Sequence, residues 1–154
     1  MTALTTAQLR AYQQICDPGS GRMLVIAMDQ RASMRNLIQV PGGGATNEDL
    51  VAAKLDLVAH LGNEAPAVLL DPSTVVPQVV TDGILARDCA LMVGMDASGY
   101  DTDDRGLRLS RIVAGVDARR VRALGGTAAK LNVYMRPDHE GIDSHPARMI
   151  ASVS

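Results

Sequence analysis

The stretch Met23-Leu24-Val25-Ile26-Ala27-Met28-Asp29-Gln30-Arg31 decides how the rest of the chain reads. Six apolar residues run unbroken and then give way to Asp29. An apolar run this short fits a strand buried on both faces, as parallel sheets require. Periodicity alone also allows a buried turn of helix. The short length and the preceding Gly19 and Gly21 favour the strand. In α/β folds ligands bind at the carboxyl ends of parallel strands, which puts Asp29 on a ligand-facing rim.

The pattern recurs. Ala67-Val68-Leu69-Leu70 ends in Asp71, Ala90–Met95 ends in Asp96, and Ala128–Met135 is followed by Arg136-Pro137-Asp138. These read as the first four strands of a βα repeat with acids on one rim. Helical spacing predicts the elements between them. Leu4–Ile15, capped by Thr5 or Thr6, closes the bottom of the fold and stops at Asp17-Pro18-Gly19. Gln30–Gln39 carries a stripe of Met34, Leu37 and Ile38. Thr46, three residues before Asp49, is a near capping box for a helix running to Gly62. Pro77 limits the next helix to Gln78–Leu85. Asp96–Arg111 reads as a long rim loop, and loops of that length are often functional. Asp117 caps a helix through Leu124. After the fourth strand, 137–146 reads as a polar loop, and 147–153 begins something helical. Val40-Pro41-Gly42-Gly43-Gly44 reads as a linker rather than a phosphate loop, because no Gly-Lys-Ser/Thr follows.

The bulk properties exclude several function classes. The chain has 154 residues, enough for one domain with a real core. Phe and Trp are absent, Tyr occurs three times, and the formal charge is -2. Nucleic-acid surfaces want stacking aromatics or a basic stripe, so no nucleic-acid partner is expected. No apolar run approaches the ~20 residues of a membrane span. Met1–Leu9 lacks a basic start and an apolar core, so it does not read as a signal peptide. Cys16 and Cys89 are far apart and read as reduced, buried thiols of a cytoplasmic protein. His60, His139 and His145 make no ligand cluster with them, and no metal or cofactor is expected.

The fourth strand is informative through its parity. Lys130, Asn132 and Tyr134 fall on one face; Leu131, Val133 and Met135 fall on the other. A buried ammonium is costly unless paired. Lys130 is therefore either a structural lysine bridged to an acid such as Asp29 or Asp71, or a lysine that holds an anionic substrate or tunes a neighbour's pKa. Lys54, on a helical stretch, reads as solvated. Asp71 before Pro72 reads as a turn or cap residue, and Asp96 as the start of the loop. Asp29, with donors Gln30 and Arg31 beside it, suits orienting polyol hydroxyls or general acid–base work.

Four motifs carry a family resemblance: Ala27-Met28-Asp29-Gln30-Arg31 with Met34-Arg35; Ala65–Pro72; Gly99-Tyr100; and Ala129-Lys130-Leu131 with Tyr134 and Asp138. In this order, spanning roughly Thr6 to Asp138, the chain resembles the tagatose 1,6-bisphosphate aldolase family and the related sulfofructosephosphate aldolases. The resemblance implies a (β/α)8 barrel that cleaves a ketose phosphate into two three-carbon products through a Schiff base on lysine. It implies catalytic roles for Asp29 and Lys130, and substrate contacts from Gln30 and Arg31. It puts the Schiff-base lysine on the sixth strand, its assisting Glu on the fifth and the phosphate near the last two. Family members are about twice this length. The chain thus reads as the N-terminal half of a TIM barrel: a single truncated domain, 1–154, with about four parallel strands and flanking helices. It is expected to be inactive alone, and to self-associate or pair with a complementing C-terminal half. The alternatives are a non-catalytic half-barrel module, and an enzyme whose Schiff base forms on Lys130 itself.

Overall fold

The computed structural model describes residues 3–38, 41–135 and 145–153. Along the chain run α1 (Thr6–Ile15), β1 (Val25–Met28), α2 (Ala32–Leu37), α3 (Asn47–Leu61), β2 (Ala67–Leu70) and α4 (Val76–Thr81). There follow β3 (Ala90–Gly94), β4 (Asp101–Thr102), β5 (Arg108–Leu109), α5 (Ala118–Ala123), β6 (Ala128–Lys130) and α6 (His145–Val153). Gln39, Val40 and most of the polar loop, with Asp138 and His139 in it, lie outside the described residues.

Four strands form one parallel sheet in the order β1-β2-β3-β6. The register pairs Met28 with Leu70, Leu70 with Val93 and Gly94 with Lys130, so the carboxyl ends share one rim. Strand alternation gives the sheet two unlike faces. On one, Val68, Leu70, Leu91 and Val93 pack with Val58 of α3, Val76 and Val79 of α4, and Val121 of α5. Burying each such aliphatic side chain stabilises by roughly 1.5–3 kcal/mol. On the other, small residues dominate: Ala67, Ala90 and Ala128 pack with Ile15 and Cys16. That cluster lies at the amino ends of the strands, where α1 closes the bottom of the fold. Both cysteines are free; Cys16 is buried and Cys89 half-buried.

The helices begin where capping chemistry allows. Thr5 with Gln8, and Thr46 with Asp49, form complete capping boxes. The Asp117 side chain accepts from the Arg120 backbone at the start of α5.

Several expectations need correction. The 23–28 run is not buried on both faces: β1 starts at Val25 as an outer strand, and Met23, Leu24 and Ala27 are exposed. Leu37 is 79% exposed rather than part of a core stripe, because α2 ends there. Pro77 does not delay α4; it sits in its first turn, where a missing N–H costs nothing. The Asp96–Arg111 segment is not an open loop but carries the antiparallel hairpin β4–β5. Strand β6 stops at Lys130, five residues short of Met135.

Candidate functional site

Lys130 closes β6 on the same sheet face as Ala128, away from α3, α4 and α5. Asp29 follows the end of β1, and Asp96 follows β3 by two residues. All three converge. The Lys130 ammonium donates to Asp29 Oδ2 at 3.1 Å and to the Asp96 carboxylate at 3.1 Å. In a flat sheet β1 and β6, three strand spacings apart, would lie about 14 Å from each other. The bridge spans the two outer strands of the described sheet across the face opposite α3, α4 and α5. Gly94 lies under the bridge: a Cβ there would stand 3.5 Å from Asp29 Oδ2, so any larger side chain would crowd it.

Asp96 is fixed from two further sides. Its Oδ1 accepts from the Asn132 backbone at 3.2 Å, and its carbonyl accepts from the Arg31 guanidinium. Two carboxylates thus meet the Lys130 ammonium, with the Arg31 guanidinium beside them on the Asp96 carbonyl. The Lys130 side chain is 34% exposed, against 16% for Asp29 and 19% for Asp96. Partial burial works against the ammonium, but the hydrogen bonds and charges of Asp96 and Asp29 outweigh it, and its pKa lies above the ordinary lysine value. Lys130 is therefore a cationic donor at neutral pH and not an amine ready for nucleophilic attack. Gln30 is exposed beside Asp29, and its side chain has no hydrogen-bond partner among the described residues. An ammonium, two carboxylates and a free amide on one rim can order several hydroxyl groups.

The structure thus brings together Asp29, Lys130 and Arg31, with Gln30 adjacent. Asp96 was missed as a partner of Lys130. Its signal was present, since it follows an apolar strand much as Asp29 does. Asp71 does not pair with Lys130. It is fully buried and ion-paired with Lys54, which is fully buried too and not solvated as the sequence suggested. Lys54 lies four residues from both Leu50 and Val58 and so falls on the core stripe of α3. Asp71 also has the turn role expected of it, accepting from the backbone of Ser73 at 3.2 Å and of Thr74 at 2.9 Å. Burial would raise its pKa, but Lys54 and Thr74 hold it below the ordinary aspartate value.

The hairpin rises from the same rim. The Met95 carbonyl accepts from Val113, and Ala97 donates to Arg111, closing the base of the excursion. Tyr100 and Tyr134 meet edge to face at 5.5 Å, with the Arg108 guanidinium 4.5 Å from the Tyr100 ring centre. A separate cleft of 660 Å³ opens at the other end of the strands, with Arg10, Cys16, Pro66, Arg87 and Cys89 in its wall. No described helix is long and apolar enough to cross a membrane.

No protein-family model matches the chain. Individual proteins do. A tagatose 1,6-diphosphate aldolase of Listeria monocytogenes is 29% identical over 140 residues, which cover 90% of this chain and 39% of that protein. Tagatose 1,6-diphosphate aldolase 2 of Streptococcus agalactiae is 27% identical over 134 residues, covering 86% of this chain and 40% of that protein. A tagatose 1,6-diphosphate aldolase of Staphylococcus epidermidis is 26% identical over 119 residues, or 77% and 35% of the two chains. The chain spans about two fifths of the length of these curated relatives. Over most of its length it is homologous to the N-terminal part of proteins named tagatose 1,6-diphosphate aldolase.

Proposed function

We propose that this chain supplies the first four strands of a (β/α)8 class I aldolase barrel that cleaves a ketose bisphosphate, with the Asp29–Lys130–Asp96 rim as its contribution to the active site. The observation that carries the reading is the salt bridge from the first strand to the fourth. It joins the first and fourth strands at their carboxyl ends, on the sheet face opposite α3, α4 and α5, the side that a barrel of this kind would enclose. Names of the relatives supply the substrate class.

In this reading Asp29 and Gln30 receive substrate hydroxyls. Lys130 stays an ammonium, holds anionic oxygens, and through its charge depresses the pKa of a Schiff-base lysine contributed by the remaining strands. Arg31 anchors the rim through the Asp96 carbonyl and keeps other N–H donors for substrate. The 154 residues on their own bind substrate without cleaving it, because both of their lysines, Lys54 and Lys130, are ion-paired.

Borohydride trapping with tagatose 1,6-bisphosphate tests this. No adduct is expected on the chain alone, and cleavage is expected after mixing with a polypeptide carrying the remaining strands of the Listeria relative. A covalent adduct on Lys130 would make that residue the nucleophile and overturn the assignment. A second reading, a non-catalytic assembly module, draws on β1 and β6 being the outer strands of the described sheet, whose edges invite pairing. It gains if the mixture neither traps nor cleaves substrate.

A further inference from the structure

The β4–β5 hairpin holds three arginines in different ways. Arg105 is ion-paired with Asp103 at 3.0 Å and Arg111 with Asp101 at 3.4 Å. Arg108 has no carboxylate partner among the described residues. It is held by ring faces instead, 4.5 Å from the Tyr100 centre and 5.6 Å from that of Tyr134. The chain has three tyrosines and no other aromatic, and two of them are gathered around this guanidinium. A guanidinium held over ring faces keeps its N–H donors unspent by any carboxylate. Such a guanidinium is preorganised for a bidentate oxyanion.

The platform is built rather than incidental. Tyr134 is fixed through its backbone N–H, which donates to Ser110 Oγ at 3.1 Å. Ser110 is 4% exposed, and His145 Nε2 lies 2.9 Å from its carbonyl oxygen. Arg108 itself is exposed, so a ligand has access. Tyr134 lies four residues beyond Lys130, which limits their Cα separation to about 14 Å. The hairpin leaves β3 at Met95, whose N–H donates to the Lys130 carbonyl, so Arg108 and Lys130 belong to the same end of the sheet.

We propose that Arg108, clamped by Tyr100 and Tyr134, is a phosphate-binding subsite that fixes one end of a phosphorylated sugar on the rim. The anion site stands on the hairpin geometry; the identity of the sugar rests on the aldolase reading.

The test uses the full chain and Arg108→Gln, with Arg108→Lys as a control that keeps charge but loses the fork. The readout is tyrosine emission, which no tryptophan obscures, and titration calorimetry. The probes are inorganic phosphate, tagatose 6-phosphate and unphosphorylated tagatose. Arg108→Gln is expected to weaken both phosphate-bearing probes about tenfold or more and to leave tagatose unchanged, with Arg108→Lys in between. Equal affinity of wild type and Arg108→Gln for tagatose 6-phosphate overturns the subsite, as does a wild-type chain that ignores inorganic phosphate. Lys130→Met separates the two readings. If it weakens all sugar binding while Arg108→Gln does nothing, the rim assignment stands and the subsite falls. If neither variant matters, both fall.

Discussion

Replacing Lys54 by methionine should destabilise this protein strongly. Both partners of the Lys54–Asp71 pair are inaccessible to solvent. Methionine fills the volume of the lysine stem, so packing is nearly conserved, and the main effect is an Asp71 carboxylate stranded in the core. Removing one partner of a buried ion pair costs about 3–5 kcal/mol. For a chain of this size that lowers Tm by roughly 6–20 °C. The loss depends on pH in a defined direction. In the wild type the Asp71 pKa lies below its unfolded value of 3.8. Its contribution is therefore complete above that value and disappears as pH falls through the lower folded pKa. In Lys54→Met burial is unopposed by the ammonium and raises the Asp71 pKa, so acid relieves the variant by protonating the stranded group. The stability gap should be widest near neutrality and narrow below about pH 4. Urea denaturation followed by circular dichroism at pH 7 and pH 4 measures it. The double variant Lys54→Met/Asp71→Asn, which removes both charges and keeps an acceptor for the Ser73 and Thr74 donors, should recover most of the loss. A single variant within about 1 kcal/mol of wild type at pH 7 would refute the reasoning, because a genuinely buried pair cannot lose one member so cheaply.

Other consequences follow from the same contacts. Gly126→Ala should destabilise by about 1–3 kcal/mol in urea melts, since its Cβ would stand 2.6 Å from Val121 Cγ1 and 2.8 Å from the Val121 carbonyl oxygen. Thr46→Ala removes the capping box of α3 and should cost about 1 kcal/mol, read in the same melts. Asp96→Asn weakens the hold on Lys130 and should lower the Lys130 pKa, while folding changes little; amine titration by NMR checks this. Ligand binding that depends on the Lys130 charge should persist through pH 10 and fade only as pH rises past its elevated pKa, measured by calorimetry.

The first three strands of the sheet were legible because each lies in a short apolar run that ends at an acid, Asp29, Asp71 or Asp96. Lys130 and Asp29 were legible for the same reason: a polar side chain at the end of such a run needs a partner. Asp96 and Lys54 were not, and the reasons differ. Asp96 opened a segment rich in Asp and Gly, where a further acid reads as solvent-facing. The charge of Lys54 points to solvent, whereas its spacing from Leu50 and Val58 places it in the core. The end of β6 leaves no mark in the sequence, because alternation continues to Met135 after the ladder has stopped. Beyond Lys130, side chains take over from a partner strand: Asn132 donates to Asp96 and Tyr134 to Ser110. The hairpin left no periodic signal, since each arm is two residues long. Its turn is set locally, with the Asp103 side chain accepting from the Arg105 and Leu107 backbone and Gly106 at φ 78°.

Because the chain holds only two lysines, labelling lysine with ¹³C and ¹⁵N gives a spectrum with one side-chain signal for each. Following the Lys130 signal through a pH titration, with and without tagatose 1,6-bisphosphate, tests the rim assignment most directly. The predicted result is an amine that titrates above the ordinary lysine value and shifts when the sugar phosphate binds. A Lys130 amine that titrates below that value, or that ignores the sugar phosphate while Lys54 responds, would contradict it.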